Sequence, residues 1–119
     1  MSAPSSRSDA FSTFDVVIVP FPYADRLAEK RRPAIVVSAR ELTTKYGLAW
    51  LVMVTSADNR GWDCDIAVSD LKAAGLPAPS LMRPAKIATV DAARVLRRIG
   101  RLSTKDSRTL SAGLKTLLG

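Results

Sequence analysis

Histidine is absent from the sequence and cysteine occurs once, at Cys64. Without histidine the chain can build neither a Ser-His-Asp or Cys-His catalytic triad nor a metal site with imidazole ligands. A single cysteine excludes a disulfide within the chain and makes the cytoplasm the expected compartment. Apolar runs are short, and none approaches the roughly 18 residues that indicate a membrane-spanning helix. The first nine residues contain no apolar stretch typical of a secretory signal.

What is present is the composition of a globular domain of 119 residues, 47% hydrophobic and 24% charged. Its charge is unevenly divided along the chain. Residues 1–70 carry eight basic and nine acidic side chains, net −1, whereas residues 71–119 carry ten basic and two acidic ones, net +8, which together give +7. Such a basic excess favours a polyanionic partner, most plausibly nucleic acid, although a basic surface with no specific partner is the alternative.

Short β-branched runs bounded by proline and glycine predict a mainly β fold. Strands are predicted at residues 15–19, 33–38, 48–55, 63–69, 80–83 and 86–89, and a turn followed by a strand within 91–102. Pro33 is expected at the first position of its strand, where a missing N–H is tolerated. Residues 23–32 are predicted to form a long loop. Residues 1–12 are predicted to be a flexible tail, which leaves 13–119 as a single domain.

The C-terminal segment predicts an amphipathic helix. Ser103 and Asp106 have the spacing of a capping box, and leucines at positions 110, 114, 117 and 118 recur on one helical face. A shorter helical turn is predicted at residues 70–76. Trp50 lies in an apolar run and is expected in the core, whereas Trp62 follows a turn and is expected at the surface. Short strands closed by one helix indicate a small, curved, partly closed sheet.

Five segments in this order resemble the PemK/MazF family of toxins. They are Asp-Val-Val-Ile-Val-Pro-Phe-Pro at 15–22, Lys-Arg-Arg-Pro-Ala-Ile-Val-Val-Ser at 30–38, Val-Thr-Ser at 54–56, Arg-Pro-Ala-Lys-Ile-Ala-Thr-Val-Asp at 83–91 and Gly-Arg-Leu-Ser at 100–103. The resemblance implies a small SH3-like barrel with a C-terminal helix, acting as a homodimer. It also implies a type II toxin that cleaves single-stranded RNA, usually mRNA, without metal or other cofactor and is neutralised by a cognate antitoxin.

By this resemblance Arg32 and Thr55 match the family's catalytic arginine and its strand-end threonine. A guanidinium holds phosphate oxygens in a planar fork, and a hydroxyl can donate to a phosphorane oxygen. RNA contacts are expected from Arg31, Ser56, Arg83 and Lys86. A second basic group, Arg94, Arg97, Arg98 and Arg101, is either an RNA track or a solvated strand face. The alternatives are that Arg32 is one solvated charge among its neighbours and that Thr55 is ordinary strand sequence.

The sequence departs from the family pattern where acids would move protons. Ala85 stands where some members carry a catalytic aspartate, Ala88 where many carry arginine, and Phe14 where a glycine is common. Four aspartates at positions 58, 63, 65 and 70 match no standard metal-binding loop, so no metal site is predicted. The missing acid keeps two other functions open. One is a degenerate or CcdB-like protein of the same fold that inhibits a protein target; the other is a basic barrel that only binds RNA or DNA.

Overall fold

The computed structural model describes residues 11–21, 30–59 and 61–119. Six strands are found: β1 (Asp15–Phe21), β2 (Lys30–Val36), β3 (Leu48–Ser56), β4 (Ile66–Ala67), β5 (Ser80–Asp91) and β6 (Arg97–Arg101). In the same described ranges three helices accompany them: α1 (Arg40–Tyr46), α2 (Leu71–Ala74) and α3 (Thr104–Leu118), with short 3₁₀ turns at Ala57–Asn59 and Ala92–Arg94. The predicted mainly β fold with a C-terminal helix is confirmed.

All six strands belong to one sheet in the order β4-β5-β3-β2-β1-β6, and each neighbouring pair is antiparallel. Strand β5 is one long strand where the sequence predicted two shorter ones. It shifts register against β3, because Val52 pairs with Ile87 whereas Met53 pairs with Arg83. A bulge of this kind bends a strand and increases its twist. The two halves of β5 therefore follow a sheet that curls into a half-barrel.

The alternation of side chains along β3 separates two apolar clusters. Val52 and Val54 pack with Ile35, Met82 and Leu110 of α3. The intervening residues Leu51 and Met53 point to the other face and pack with Val17, Val19 and Ala34. Successive side chains of a strand point to opposite faces. Because an apolar cluster lies on each face, both faces of the central strands are buried.

Pro33 lies in the middle of β2, opposite Ile18, and not at the strand's start. The N–H that proline lacks would lie on the edge of β2 that faces β3. Val37 donates its N–H to Trp50 O across the β2–β3 pair, and alternation places the nitrogen of residue 33 on the same edge. Because proline has no N–H there, the pairing of β2 with β3 ends at Ala34–Met53. Beyond that pair the two strands diverge.

Helix α3 is fixed at its start by a buried carboxylate. Ser103 caps the helix by accepting the N–H of Asp106, as the sequence predicted. The Asp106 side chain also contacts a second segment. Its oxygens accept the Ser69 N–H at 3.1 Å, the Ser69 hydroxyl at 2.7 Å and the Asp70 N–H at 3.1 Å. The carboxylate thus ties α3 to the segment between β4 and α2.

Two glycines bring α2 against β6. Gly75 ends α2 with φ of 73°, a left-handed conformation that favours glycine. A Cβ on Gly75 would overlap the backbone of Ile99, and a Cβ on Gly100 would overlap the backbone of Ala74. This contact needs glycine at both positions, and it places the segment that follows α2 beside β6.

Other sequence predictions differ from the structure in detail. Trp50 belongs to neither apolar cluster and is 48% exposed, so it is not a core residue. Phe11, assigned to the tail, is buried in the second cluster, so the packed domain includes it; residues 1–10 of that tail lie outside the described residues. Helix α1 was not predicted. Of the predicted loop at 23–32, residues 23–29 lie outside the described residues, and Lys30 already begins β2.

Candidate active site

A cleft of about 320 Å³ opens where β2 and β3 diverge. Its polar lining consists of Arg32, Thr55, Ser56 and Ser80. The rest of the wall is apolar and is formed by Ile18, Pro33, Val54, Ile99 and residues 76–79. The missing N–H of Pro33 therefore opens the cleft between the strands, and the Gly75–Gly100 contact positions the segment that closes one side of it.

Arg32 and Thr55 both line this cleft. Arg32 shares its side of the sheet with Ala34 and Val36, and Thr55 shares the same side with Leu51 and Met53, all four of which belong to the second apolar cluster. The apolar wall of the cleft lies on the opposite side, because Val54, Leu76 and Ile99 belong to the first cluster or pack against it. Arg32 is half-buried and its Nε atom is fully buried. Burial of this kind orients the guanidinium, since an arginine held by packing loses less freedom on binding a phosphate.

The hydroxyl of Thr55 is oriented by a neighbour that sequence reasoning missed. Asn59 Nδ2 donates a hydrogen bond to Thr55 Oγ1 at 3.1 Å. A hydroxyl has one proton to donate and two acceptor lone pairs. Because the amide occupies a lone pair, the Thr55 proton stays available for an oxygen in the cleft. Only the position of Asn59, four residues after Thr55 in the turn that follows β3, hints at this contact from the sequence.

Arg83 is held inside the protein, which differs from the phosphate-binding side chain expected from the sequence. Its Nε and Nη2 donate to the two oxygens of Asp65 at 2.8 and 2.7 Å. Nη2 also donates to the backbone oxygen of Asn59 at 3.0 Å, and the guanidinium lies 4.5 Å from the centre of the Trp62 ring. These hydrogen bonds lower the pKa of Asp65, outweighing the burial that raises it. The same pairing raises the pKa of Arg83.

The other predicted RNA-binding residues are spread over the surface. Ser56 is exposed at the cleft. Arg31 and Lys86 are exposed but do not line it. In the basic group of β6, Arg101 and Arg98 lie 3.0 and 3.7 Å from the buried carboxylate of Asp15. That carboxylate therefore offsets part of the positive charge along the strand.

Among the residues that the structure describes, none that lines the cleft carries a carboxyl group. Ala85, where some family members have aspartate, is exposed on β5. Asp65 pairs with Arg83, and Asp70 accepts the N–H of Ala73 to cap α2. Within the described ranges, no three His, Cys, Asp or Glu side chains form a group that can hold a metal ion. No helix in the described part of the chain has the length and apolar character needed to cross a membrane.

Comparison with known proteins agrees with the fold. Among solved structures, the chain is similar to the MazE–MazF complex of Deinococcus radiodurans, with 18% identity, a TM-score of 0.74 and coverage of 92% of this chain and 97% of the other. It is also similar to an endoribonuclease from a mycobacterial species in complex with its cognate antitoxin, with 18% identity, a TM-score of 0.73 and coverage of 92% and 96%. The chain is also similar to the Mycobacterium tuberculosis toxin MazF-mt6, with 18% identity, a TM-score of 0.66 and coverage of 86% of this chain and 95% of the other.

At these identities the similarity to solved structures establishes the fold alone. A search of curated protein sequences gives no significant match. A model of the PemK-like, MazF-like toxins of type II toxin–antitoxin systems matches residues 12–118. Since that match covers nearly the whole chain, this protein belongs to the PemK-like, MazF-like toxin family of type II toxin–antitoxin systems.

Proposed function

We propose that the protein is a metal-independent endoribonuclease that cleaves single-stranded RNA, with mRNA as its cellular substrate, in the cleft between β2 and β3. The observation that carries this proposal is that Arg32 and Thr55, far apart in the sequence, line one cleft. A fixed guanidinium and an oriented hydroxyl are the groups that a negatively charged phosphorane requires. The family and the neighbouring structures described as endoribonucleases support it.

The proposed reaction is an in-line attack of the ribose 2′-oxygen on the adjacent phosphorus. The new O2′–P bond forms as the P–O5′ bond breaks, so the products are a 2′,3′-cyclic phosphate and a 5′-hydroxyl. The 2′-hydroxyl loses one proton and the leaving 5′-oxygen gains one. Arg32 stabilises the charge that develops on the non-bridging oxygens, and the Thr55 hydroxyl donates to one of them. No proton transfer is assigned to the residues that line the cleft.

The proposed partners are single-stranded RNA, a cognate antitoxin and a second copy of the chain. The neighbouring structures of a MazE–MazF complex and of a toxin bound to its antitoxin support the protein partner. A net charge of +7, concentrated in residues 71–119, supports the RNA. The cytoplasm, where mRNA is translated, is the proposed compartment.

One observation favours a second candidate function. No carboxyl group of the described residues lines the cleft, and by the resemblance Ala85 stands where some relatives carry an acid. A protein of this fold without cleavage activity would inhibit a protein target, as CcdB-like proteins do.

Digestion of a single-stranded RNA followed by analysis of the product ends separates the two candidates. Cleavage should give 2′,3′-cyclic phosphate and 5′-hydroxyl ends. It should also persist in excess EDTA, because Arg32 and Thr55 supply the charge stabilisation. A 2′-deoxy oligonucleotide is the matched control, since it binds but has no attacking oxygen. Intact RNA after long incubation would favour the inhibitor, and loss of cleavage in EDTA with rescue by Mg²⁺ would refute the metal-independent mechanism.

A further inference from the structure

Trp62 presents an aromatic ring that is fixed on one face and open on the other. The guanidinium of Arg83 lies 4.5 Å from the ring centre, a distance typical of a cation–π contact. Arg83 itself is only 14% exposed at its side chain because Asp65 holds it with two hydrogen bonds. The indole is nevertheless 47% exposed. Since one face is covered by Arg83, the exposed area lies on the opposite face and along the ring edges.

The ring is connected to the cleft by two residues. Asn59 donates its side-chain amide to Thr55 Oγ1 and accepts the Arg83 Nη2 proton at its backbone oxygen. Arg83 in turn covers Trp62. Asn59 and Arg83 therefore link the Thr55 hydroxyl to the indole through a continuous series of contacts.

We propose that the open face of Trp62 binds a base of the RNA substrate by stacking, beside the phosphate that is cleaved. The proposal rests on the proposed function, because it takes single-stranded RNA as the ligand. Exposed aromatic side chains are a common platform for single-stranded nucleic acid, because every base has a face to stack. Arg83 acts as a positioning residue that holds the ring by contact with its covered face.

The surroundings of Trp62 favour a base over a protein surface. The residues on either side of it in the sequence, Gly61 and Asp63, are exposed and contribute no apolar side chain. A protein interface of ordinary size needs a larger apolar centre with a polar rim. A single planar ring backed by a cation matches the size of one base instead.

The test measures binding without cleavage, using a 2′-deoxy single-stranded oligonucleotide. Trp62→Ala should weaken binding by about tenfold to a hundredfold, which corresponds to the loss of one base stack. Trp62→Phe should restore part of the affinity, because a smaller ring still stacks. Trp50→Phe is the matched control, since Trp50 is equally exposed at 48% and lies outside the cleft; it should bind as tightly as the unmodified protein.

Two further measurements locate the stacked base. Trp50→Phe leaves Trp62 as the only tryptophan, so its fluorescence should be quenched when the oligonucleotide binds. A series of oligonucleotides, each with one abasic site at a different position, should show weaker binding to the Trp50→Phe protein at one of these positions. In a protein that also carries Trp62→Ala, the abasic site at that position should cause no further loss of affinity. Arg83→Gln should lower the fluorescence anisotropy of Trp62 and weaken binding of the oligonucleotide. Arg83→Lys should recover part of the anisotropy and part of the affinity.

The outcomes separate this proposal from the proposed function. If the protein binds and cleaves RNA but Trp62→Ala binds within twofold of the unmodified chain, only the stacking proposal is wrong. It is also wrong if the affinity lost through the abasic site and the affinity lost through Trp62→Ala add at every position. A Trp62→Ala protein that changes only in oligomeric mass would identify the ring as a protein contact and would equally contradict the stacking proposal. If the unmodified protein neither binds the oligonucleotide nor cleaves RNA, both proposals are wrong.

Discussion

At the scale of single residues, the direction of one hydroxyl proton decides what Thr55 can do. Asn59 Nδ2 donates to Thr55 Oγ1 and leaves the hydroxyl proton for the substrate. Asn59→Ala should slow cleavage by about tenfold, because one hydrogen bond that orients the hydroxyl is lost. Asn59→Asp should slow it further, because a carboxylate accepts the proton that would otherwise point to the phosphate. Single-turnover cleavage by both variants measures this, and an Asn59→Asp rate equal to that of Asn59→Ala would contradict it.

The sequence predicts some of these residues and not others, for a physical reason. Arg32 and Thr55 stand at strand positions beside proline and a turn, which the resemblance to the family identifies from short contiguous motifs. The partners of Arg83 are different. Asp65 lies 18 residues before it, and the two meet because β4 pairs with β5 in a register that places Ile66 opposite Met82. The register of a two-residue strand has no clear signature in the sequence, so the sequence predicts Arg83 as a phosphate ligand and does not reveal its pairing with Asp65.

At the scale of elements, the walls of the cleft depend on how α2 meets β6. Gly100→Ala should destabilise the protein by about 2–3 kcal/mol, because the added methyl overlaps the backbone of Ala74 and the elements must move apart. Gly61→Ala is the matched control, since a Cβ there meets nothing within 4 Å. Thermal unfolding compares the two variants. Equal melting temperatures for Gly100→Ala and Gly61→Ala would show that the contact is not needed.

The docking of α3 should depend on pH through Asp106. Burial raises the pKa of this carboxyl, but hydrogen bonds from Ser69, Asp70 and Ser103 lower it more, so the folded pKa lies below the ordinary value of 3.8. A lowered pKa in the folded state gives stability that is complete above pH 3.8 and is lost as the pH falls through the folded pKa. At neutral pH, Asp106→Asn should cost about 2–3 kcal/mol.

Urea unfolding at several pH values measures this dependence. The difference in unfolding free energy between the unmodified protein and Asp106→Asn should be constant above about pH 5 and should shrink towards pH 2. Asp58→Asn, on an exposed turn, controls for the change in net charge. A difference that stays the same at low pH would show that Asp106 acts by its shape and not by its charge.

The elements themselves are predicted well where the local pattern is strong. Ser103 and Leu110 locate helix α3 correctly, since capping and helical periodicity are both local signals. The far end of the leucine stripe is different, because Leu117 and Leu118 are 50% and 80% exposed. Periodicity defines a face of the helix but does not say how far the sheet extends beneath it. The local pattern also does not predict that Pro33 separates β2 from β3, because this effect depends on the edge of β2 that the proline nitrogen faces.

At the scale of the whole molecule, one chain leaves large apolar side chains at its surface. Ile87, Leu117 and Leu118 are each about half exposed or more. A second copy of the chain would cover such surface. The protein without antitoxin should therefore have twice the 12.8 kDa mass of the chain in light scattering at micromolar concentration. A single-chain mass under those conditions would contradict the proposed homodimer.

The central claim is that the cleft between β2 and β3 is the active site, and single-turnover cleavage of a single-stranded RNA by Arg32→Ala tests it most directly. The expected rate is about a hundredfold to a thousandfold lower, because a positioned charge on the phosphorane is lost. Arg32→Lys should recover part of the rate, since it keeps the charge and loses the planar fork. Arg108→Ala, an exposed position on α3 outside the cleft, changes the net charge equally and should cleave normally. Arg32→Ala should melt within a few degrees of the unmodified protein. An Arg32→Ala protein that cleaves at the unmodified rate, or that no longer folds, would contradict the assignment of this cleft.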